Sequence, residues 1–325
     1  MKIKYSFLIL IFVLFISLVN FCVLYLFIPG PLEKMEIVIV APKISIKQIS
    51  DKLAQSNIIY SSLLFELIAK IYSLHNPIKS GEYRFTSKIS PLQVLKILSS
   101  GKSIIHKLVI PEGATVHEIV EKINAEERLL GKIKTEIPEG FLMPSTYFFS
   151  YGDSKEQIID IMRKLMSSNL DKVMTKLPIS SPLKTRLEVL TLASIIEKEV
   201  GNNEERPIIA SIFLNRLKKG MKLQACPTVI YAMTLGKFKL NRPLTKKDLL
   251  IQSPYNTYFV PKLPLGPISC PSEKSLNSVV NPAKTDSLYF VVNGNGGHNF
   301  ANNLDDHNKN IQLYKQSKEI DTHTK

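Results

Sequence analysis

Residues 35–85 read MEIVIVAPKISIKQISDKLAQSNIIYSSLLFELIAKIYSLHNPIKSGEYRF, and their changing periodicity sets the fold class. Met35–Ala41 is an apolar run of strand length, closed by Pro42. Ser45 can cap a helix whose apolar positions are Ile46, Ile49 and Leu53. Ser61 or Ser62 can cap a second helix through Leu63, Leu64, Leu67, Ile68 and Ile71, and Lys79–Phe85 reads as a strand. The order is β-α-α-β, which points to an α+β chain. Pro91 then suits the first position of a helix with Leu92, Leu95 and Leu98 inward, and Gly101 ends it.

Upstream, Tyr5–Ile28 is 24 residues without a charge. As a helix it would reach roughly 36 Å, enough for a hydrocarbon core of about 30 Å. Lys2 and Lys4 precede it, which argues for a cytoplasmic N-terminus. The competing reading is a cleaved signal peptide, which needs a shorter apolar region and a small-residue cleavage site. The run ends instead in Phe27-Ile28-Pro29-Gly30-Pro31, so an uncleaved anchor over residues 1–28 is expected.

The chain has 325 residues, 45% of them hydrophobic and 22% charged, a balance that supports a buried core and excludes disorder as the main state. The net charge of +14 favours a polyanionic partner. Outside an inner membrane that partner is anionic lipid or glycan, and nucleic acid is not expected. Cys226 and Cys270 lie where an oxidising compartment would permit a disulfide. No C-x-x-C spacing or His/Cys cluster suggests a metal, and no cofactor is implied.

Downstream, Leu108-Val109-Ile110-Pro111 with Val116, Ile119, Lys122 and Ile123 echoes Ile39-Val40-Ala41-Pro42 with Ile46, Ile49, Lys52 and Leu53, with one extra residue near Gly113. Either any strand-turn-helix unit looks like this, or two related modules share one region. Residues 125–135 turn polar and irregular, placing a boundary between 29–127 and 128–325. Beyond it, apolar helices alternate with long Pro- and Gly-rich loops of the kind that build sites.

Lys184–Val200 reads as a strong helix with Val189, Leu192, Ala193, Ile196 and Val200 on one face. Glu197 falls at the edge of that face and Glu199 on the other flank. Partial desolvation would raise the pKa of Glu197 toward that of a general acid. The alternative is a helix-end glutamate paired with Arg206 or Arg216. Leu288–Val292 reads as a buried strand, followed by a glycine-rich loop, Asn293–Phe300. No helix opens directly after that loop, so a dinucleotide site is weakly supported. Exposed tyrosine, asparagine and glutamine together suit a carbohydrate.

Taken in order, several segments resemble the MltG/YceG-like family of endolytic murein transglycosylases. They are Glu139-Gly140-Phe141 with Pro144, Thr146 and Tyr147; Ala193–Glu199 (ASIIEKE); Asn215-Arg216-Leu217; and Leu223-Gln224 with Pro227-Thr228. Tyr255–Tyr258 (YNTY), Gly266-Pro267-Ile268, Asn281–Lys284 (NPAK), and Gly297-His298 with Phe300 complete the set.

The resemblance implies a transmembrane helix, a LysM-like β-α-α-β wall-binding region (29–127) and an α+β catalytic domain (128–325). It implies a lytic transglycosylase that cleaves MurNAc–GlcNAc bonds within peptidoglycan strands, leaving 1,6-anhydro-MurNAc ends and terminating nascent strands, with synthases as partners. The enzyme would sit in the inner membrane with a single pass and its catalytic domain outside. Glu197 matches the family's catalytic glutamate. Gln224, Tyr255, Asn256, His298 and Asn215 are candidates for holding the sugars. Cys226 departs from the family pattern, which has aspartate there; it could bridge to Cys270, or the two could be unrelated substitutions. The rivals are a non-catalytic wall-binding protein, a cytosolic pyridoxal-phosphate lyase and a plain hydrolase.

Overall fold

The computed structural model describes residues 2–323, with side chains described from Leu8 to Gln316. Helix α1 runs Lys2–Phe27, and its Leu8–Phe27 portion is long and apolar enough to cross a membrane. The side chains of Lys2, Lys4 and Tyr5 lie outside the described residues.

The expected β-α-α-β order is present as β1 (Glu36–Val40), α2 (Ile46–Gln55), α3 (Ser62–Ser73) and β2 (Gly81–Phe85), followed by α4 (Pro91–Ser100). The two strands pair antiparallel, with Val38 opposite Tyr83 and Val40 opposite Gly81. Their alternate residues Val38, Val40, Tyr83 and Phe85 are buried with Leu53, Phe65, Leu95 and Leu98 in one core. Ser45 and Ser90 cap α2 and α4, and Gln48 and Gln93 return the bond as capping boxes. Gly101 closes α4 at φ 70°, a left-handed conformation that favours glycine.

Next come β3 (Ile105–Val109), α5 (Val116–Ala125) and β4 (Thr146–Ser150), with β3 and β4 forming a two-stranded sheet. The rest is α6 (Lys155–Met174), α7 (Arg186–Glu199), α8 (Arg206–Lys218), α9 (Cys226–Thr234), α10 (Glu273–Val280), β5 (Tyr289–Val292), β6 (His298–Ala301) and α11 (Leu304–His323). Helix α7 is the central element, with every residue from Val189 to Ile196 buried. It starts two residues later than Lys184 because Thr185 is its cap, in a box with Glu188. Strand β5 is only partly buried, and Asn293–Gly297 is the connection of the β5–β6 hairpin, closed by Asn293 N–H donating to the Gly297 carbonyl.

The chain forms two compact units, and their limits differ from the boundary expected near residue 127. One unit holds residues up to 107 with 127–130 and 148–154; the other holds 108–126, 131–147 and 155 onward. The reason lies in the turn before α5. Gly113 N–H donates to the Cys270 carbonyl (3.0 Å), and Cys270 N–H donates back to Ala114 (2.8 Å). Thr115 Oγ1 donates to the Gly236 carbonyl (2.7 Å), and Val116 N–H donates to Glu139 (2.9 Å). Residues 127–130 turn back to the first unit: Leu130 N–H donates to the Asp153 carbonyl (2.8 Å), and Arg128 reaches His106 (2.7 Å). The two copies of the strand-helix repeat therefore fall in different units, and the extra residue of the second, Gly113, sits at φ 73°.

Candidate active site

The last turn of α7 carries Glu197 and Glu199, and their surroundings are opposite in character. Glu197 Oε1 lies 2.9 Å from Arg206 Nη1 at the start of α8. Its Oε2 accepts from the backbone N–H of Ser272 (2.8 Å) and from the Ser272 hydroxyl (2.5 Å). Burial pushes this carboxyl up, but the Ser272 and Ser275 hydrogen bonds and the Arg206 charge outweigh it and hold it below the usual carboxylate range. Arg206 is itself anchored by Asn203 Oδ1, the Ser275 hydroxyl and Glu112. The expectation of a raised Glu197 pKa is therefore corrected, because a fixed cation and two donors sit where the sequence argument assumed apolar desolvation. The pairing with Arg206, one of the two arginines considered, is present.

Glu199 has the environment expected of Glu197. It reaches an open cleft of about 310 Å³, which it lines with Arg216, Gln224, Cys226, Tyr258 and His307. Dense packing around the carboxyl pushes it up to about 7, against the lowering influence of the Cys226 backbone N–H and of Arg216. Arg216 forms no direct ion pair with it. Its guanidinium is spent on carbonyls, with Nε donating to Leu288 (2.6 Å) and Nη1 to Leu223 (2.8 Å), and lies 5.2 Å from the Tyr289 ring centroid. Arg216 thus supplies a fixed field without neutralising the carboxyl.

The opposite wall is built from two loops pinned together. Gln224 N–H donates to the Thr257 carbonyl (3.2 Å), and Ala225 N–H donates to Thr257 Oγ1 (2.9 Å). Gln224 is exposed and adopts φ 52°, an uncommon conformation for a residue with a side chain. Tyr258 places its hydroxyl 3.4 Å from Cys226 Sγ. His307 stacks on Tyr289, and burial with the Arg216 charge lowers its pKa. Its Nδ1 is buried without a hydrogen-bond partner.

Of the sugar-binding candidates, the structure brings Gln224 to this cleft and puts the others to work in the scaffold. Asn256 is fully buried; Nδ2 donates to the Leu249 and Ile251 carbonyls, and Oδ1 accepts from Tyr258 N–H. Asn215 Nδ2 donates to the Thr285 and Ser287 carbonyls, tying α8 to the loop before β5. His298 Nδ1 lies 2.7 Å from Glu205 Oε2, and the His298 N–H also donates to that carboxylate. Tyr255 packs against Tyr231, ring centroids 4.8 Å apart, beside Glu139 and away from Glu199. The side-chain polar groups of Asn256, Asn215 and His298 thus found partners within the fold before any ligand could supply one, whereas Tyr255 is held by ring packing.

Comparison with known proteins matches the YceG-like family over residues 38–313. The chain belongs to the YceG-like family. An endolytic murein transglycosylase of Bacillus subtilis (strain 168) is 33% identical over 306 residues, covering 84% of this chain and 83% of that protein. One of Streptococcus pneumoniae serotype 2 is 30% identical over 320 residues, covering 84% of this chain; the chain spans 57% of that relative's length. A crystal structure of a yceG-like protein from Listeria monocytogenes is 34% identical and superposes with a TM-score of 0.52, over 85% of this chain and 99% of that one.

As a YceG-like chain, it lines this cleft with residues that its motifs contain without singling them out. In the sequence Arg216 stands out only as a possible partner of Glu197, Glu199 only as the carboxyl on the other flank, and Tyr258 only as part of a motif. The available signal was the spacing of Glu199 from Glu197, which turns the two carboxyls to different flanks of α7. The cysteines are not bridged: Cys226 is free and exposed at the first turn of α9, whereas Cys270 is free and buried, its thiol 3.8 Å from Glu139. The two loops that the disulfide expectation placed together line different environments.

Proposed function

We propose that this chain is a membrane-anchored lytic transglycosylase acting within peptidoglycan glycan strands at MurNAc–GlcNAc bonds. The observation that carries the proposal is Glu199, a carboxyl pushed up to about 7 at the wall of an open cleft beside an exposed glutamine and two tyrosines. Within this reading the acid is Glu199 and not Glu197, because a carboxylate held ionised by Arg206 and Ser272 has no proton to give near neutral pH.

In the reaction, the protonated Glu199 donates to the glycosidic oxygen as the bond to the MurNAc anomeric carbon breaks. The C6 hydroxyl of the same MurNAc attacks that carbon and passes its proton to the Glu199 carboxylate. The product is a 1,6-anhydro end, and the acid is restored. One carboxyl serves both steps, so the paired carboxylates of most glycosidases are not required. Gln224, Tyr258 and the unpartnered His307 Nδ1 are the groups that would meet sugar hydroxyls and ring faces.

The rest of the reading follows from the first unit. Helix α1 would anchor the protein in the plasma membrane with its N-terminus cytoplasmic. The β-α-α-β unit would act as a LysM-like wall-binding module, its cavity of about 420 Å³ lined by Val40, Pro42, Ile46 and Ile78. Peptidoglycan synthases would be partners in terminating strands. The second reading is a wall-binding protein without catalysis, favoured by the replacement of the family aspartate by Cys226. Mass spectrometry of purified glycan strands treated with the full chain separates the two. New anhydro ends support the enzyme, reducing ends indicate a hydrolase, and unchanged strands indicate a binding protein.

A further inference from the structure

Helix α3 is apolar on two faces. Phe65 and Ala69 fill the core of the first unit, with Ile68 and Tyr72 packed against it. On the opposite face Leu63, Leu67, Ile71 and Leu74 are 66%, 51%, 71% and 78% exposed, and Tyr60, just before the helix, is 63% exposed. At 100° per residue Leu63, Leu67, Ile71 and Leu74 share an arc of about 80°, and Tyr60 lies just ahead of the helix cap. The neighbouring charge, Lys70, is paired with Glu66 at 2.6 Å. A continuous apolar stripe on the surface of a unit that already has a core marks a binding face.

The start of α3 is fixed beside the end of α1. Tyr25, buried near the end of α1, donates its hydroxyl to the carbonyl of Ser61, the cap of α3, at 3.2 Å. Leu26 packs on the same core, and Gly30 N–H donates to the Ile89 carbonyl at 3.0 Å. A Cβ at Gly30 would come within 2.4 Å of the Ile58 carbonyl oxygen, so the chain leaving α1 is held against the unit rather than tethered by a loose linker.

We infer that α3 is an interfacial membrane helix: its Tyr60–Leu74 stripe lies in the headgroup–acyl boundary of the leaflet from which α1 emerges. The inference rests on reading α1 as a membrane span. The occupant is lipid because the face is continuous with that span through the Tyr25–Ser61 contact and because it carries aliphatic side chains with an aromatic at one end. Amphipathic helices of this kind insert their apolar face about 5–10 Å into the boundary, and tyrosine is enriched at that level.

The chain contains no tryptophan, so a single introduced one reports its own surroundings. Leu67→Trp, Leu14→Trp and Ile179→Trp are made in the full chain and reconstituted into phosphatidylglycerol/phosphatidylethanolamine vesicles. Their acyl chains are brominated either near the headgroup or near the methyl end. The expected result is Leu67→Trp quenched about twofold or more by the shallow bromines, Leu14→Trp by the deep ones, and Ile179→Trp, at a position 98% exposed, by aqueous acrylamide alone. If Leu14→Trp responds to bromine and Leu67→Trp only to acrylamide, the interfacial helix is overturned and the anchor stands. If Leu14→Trp does not respond, the anchor reading fails and this inference with it. Leu67→Trp emission that is blue-shifted but reached by neither quencher means a second copy or another protein covers the face, which also overturns it.

Discussion

Arg206 Nη1 lies 2.9 Å from Glu197 Oε1, with both side chains less than a tenth exposed, where α7, α8 and the cap of α10 meet. This pair is a structural joint, and breaking it from one side strands a buried charge. Arg206→Ala is expected to cost about 3–5 kcal/mol of folding free energy, read from urea unfolding by circular dichroism. The sign with pH follows from the lowered Glu197 carboxyl: its stabilisation is present above the ordinary carboxylate pKa and is lost as pH falls through the folded value. A wild-type and Arg206→Ala pair of equal stability at pH 7 would show that the joint carries no load.

Glu199 carries the opposite sign. Its folded pKa of about 7 lies above the unfolded value, so the folded state holds the proton longer. Stability is full below the unfolded pKa, falls as pH rises between about 4.3 and 7, and is flat beyond, a loss of up to about 4 kcal/mol. Glu199→Gln removes that slope. The variant is expected to be more stable than wild type at pH 8 and to match it near pH 4. Parallel stability curves across this range would remove the raised carboxyl from the account.

Activity separates the two glutamates. Glu199→Gln is expected to lower anhydro-product formation by about 10²–10⁴-fold or more. Glu197→Gln, once its folded fraction is corrected for, is expected to remain within about tenfold of wild type, since it only loosens the end of α7. The reverse ranking would return Glu197 to the chemistry. In the wild type the rate should fall on the alkaline side as Glu199 loses its proton near pH 7.

Cys226 offers a way to move that limb. An aspartate at the same position would stand at the first turn of α9, whose Cys226 backbone N–H serves Glu199. A second carboxylate there disfavours ionisation of the first, so Cys226→Asp should shift the alkaline limb upward. An unchanged or downward-shifted limb would mean that the two groups do not sense each other.

The same residue tests the cysteine arrangement. Cys226 is exposed and Cys270 fully buried, its thiol pushed up by burial. In native protein without reductant, an alkylating reagent should modify Cys226 within minutes and Cys270 only after denaturation, as followed by peptide mass spectrometry. Two blocked thiols after denaturation would indicate a bridge.

Local chemistry made much of the fold legible. Ser45 and the Pro91 turn mark their helices because the first turn leaves backbone donors unpaired, and only a few residue types satisfy or avoid them. The strands β1 and β2 announce themselves by length and punctuation. The unit boundary was not legible, because it depends on Gly113 and Ala114 meeting Cys270, a contact that no local pattern encodes. The site was half legible for the same reason. Helix geometry turned Glu197 and Glu199 to different flanks, but Arg206 and Ser272 decided which carboxyl would be neutralised. Asn215 and Asn256 carry the amides that suit a sugar, yet backbone carbonyls claimed them.

The turn ahead of α5 also dictates an order of assembly. Thr115 waits for Gly236, 121 positions later, and Glu139 for Cys270, 131 positions later. At 5–20 residues per second, synthesis of that interval takes roughly 6 to 26 seconds. The strands and helices between residues 36 and 100 need only near neighbours, and close while the rest is still emerging. Ile119 and Ile123, on the helix that follows this turn, are buried in the finished protein. Until Cys270 emerges, the turn ahead of α5 lacks its closing contacts, so substitutions around residue 270 would be felt first as poor yield and only afterwards as altered chemistry.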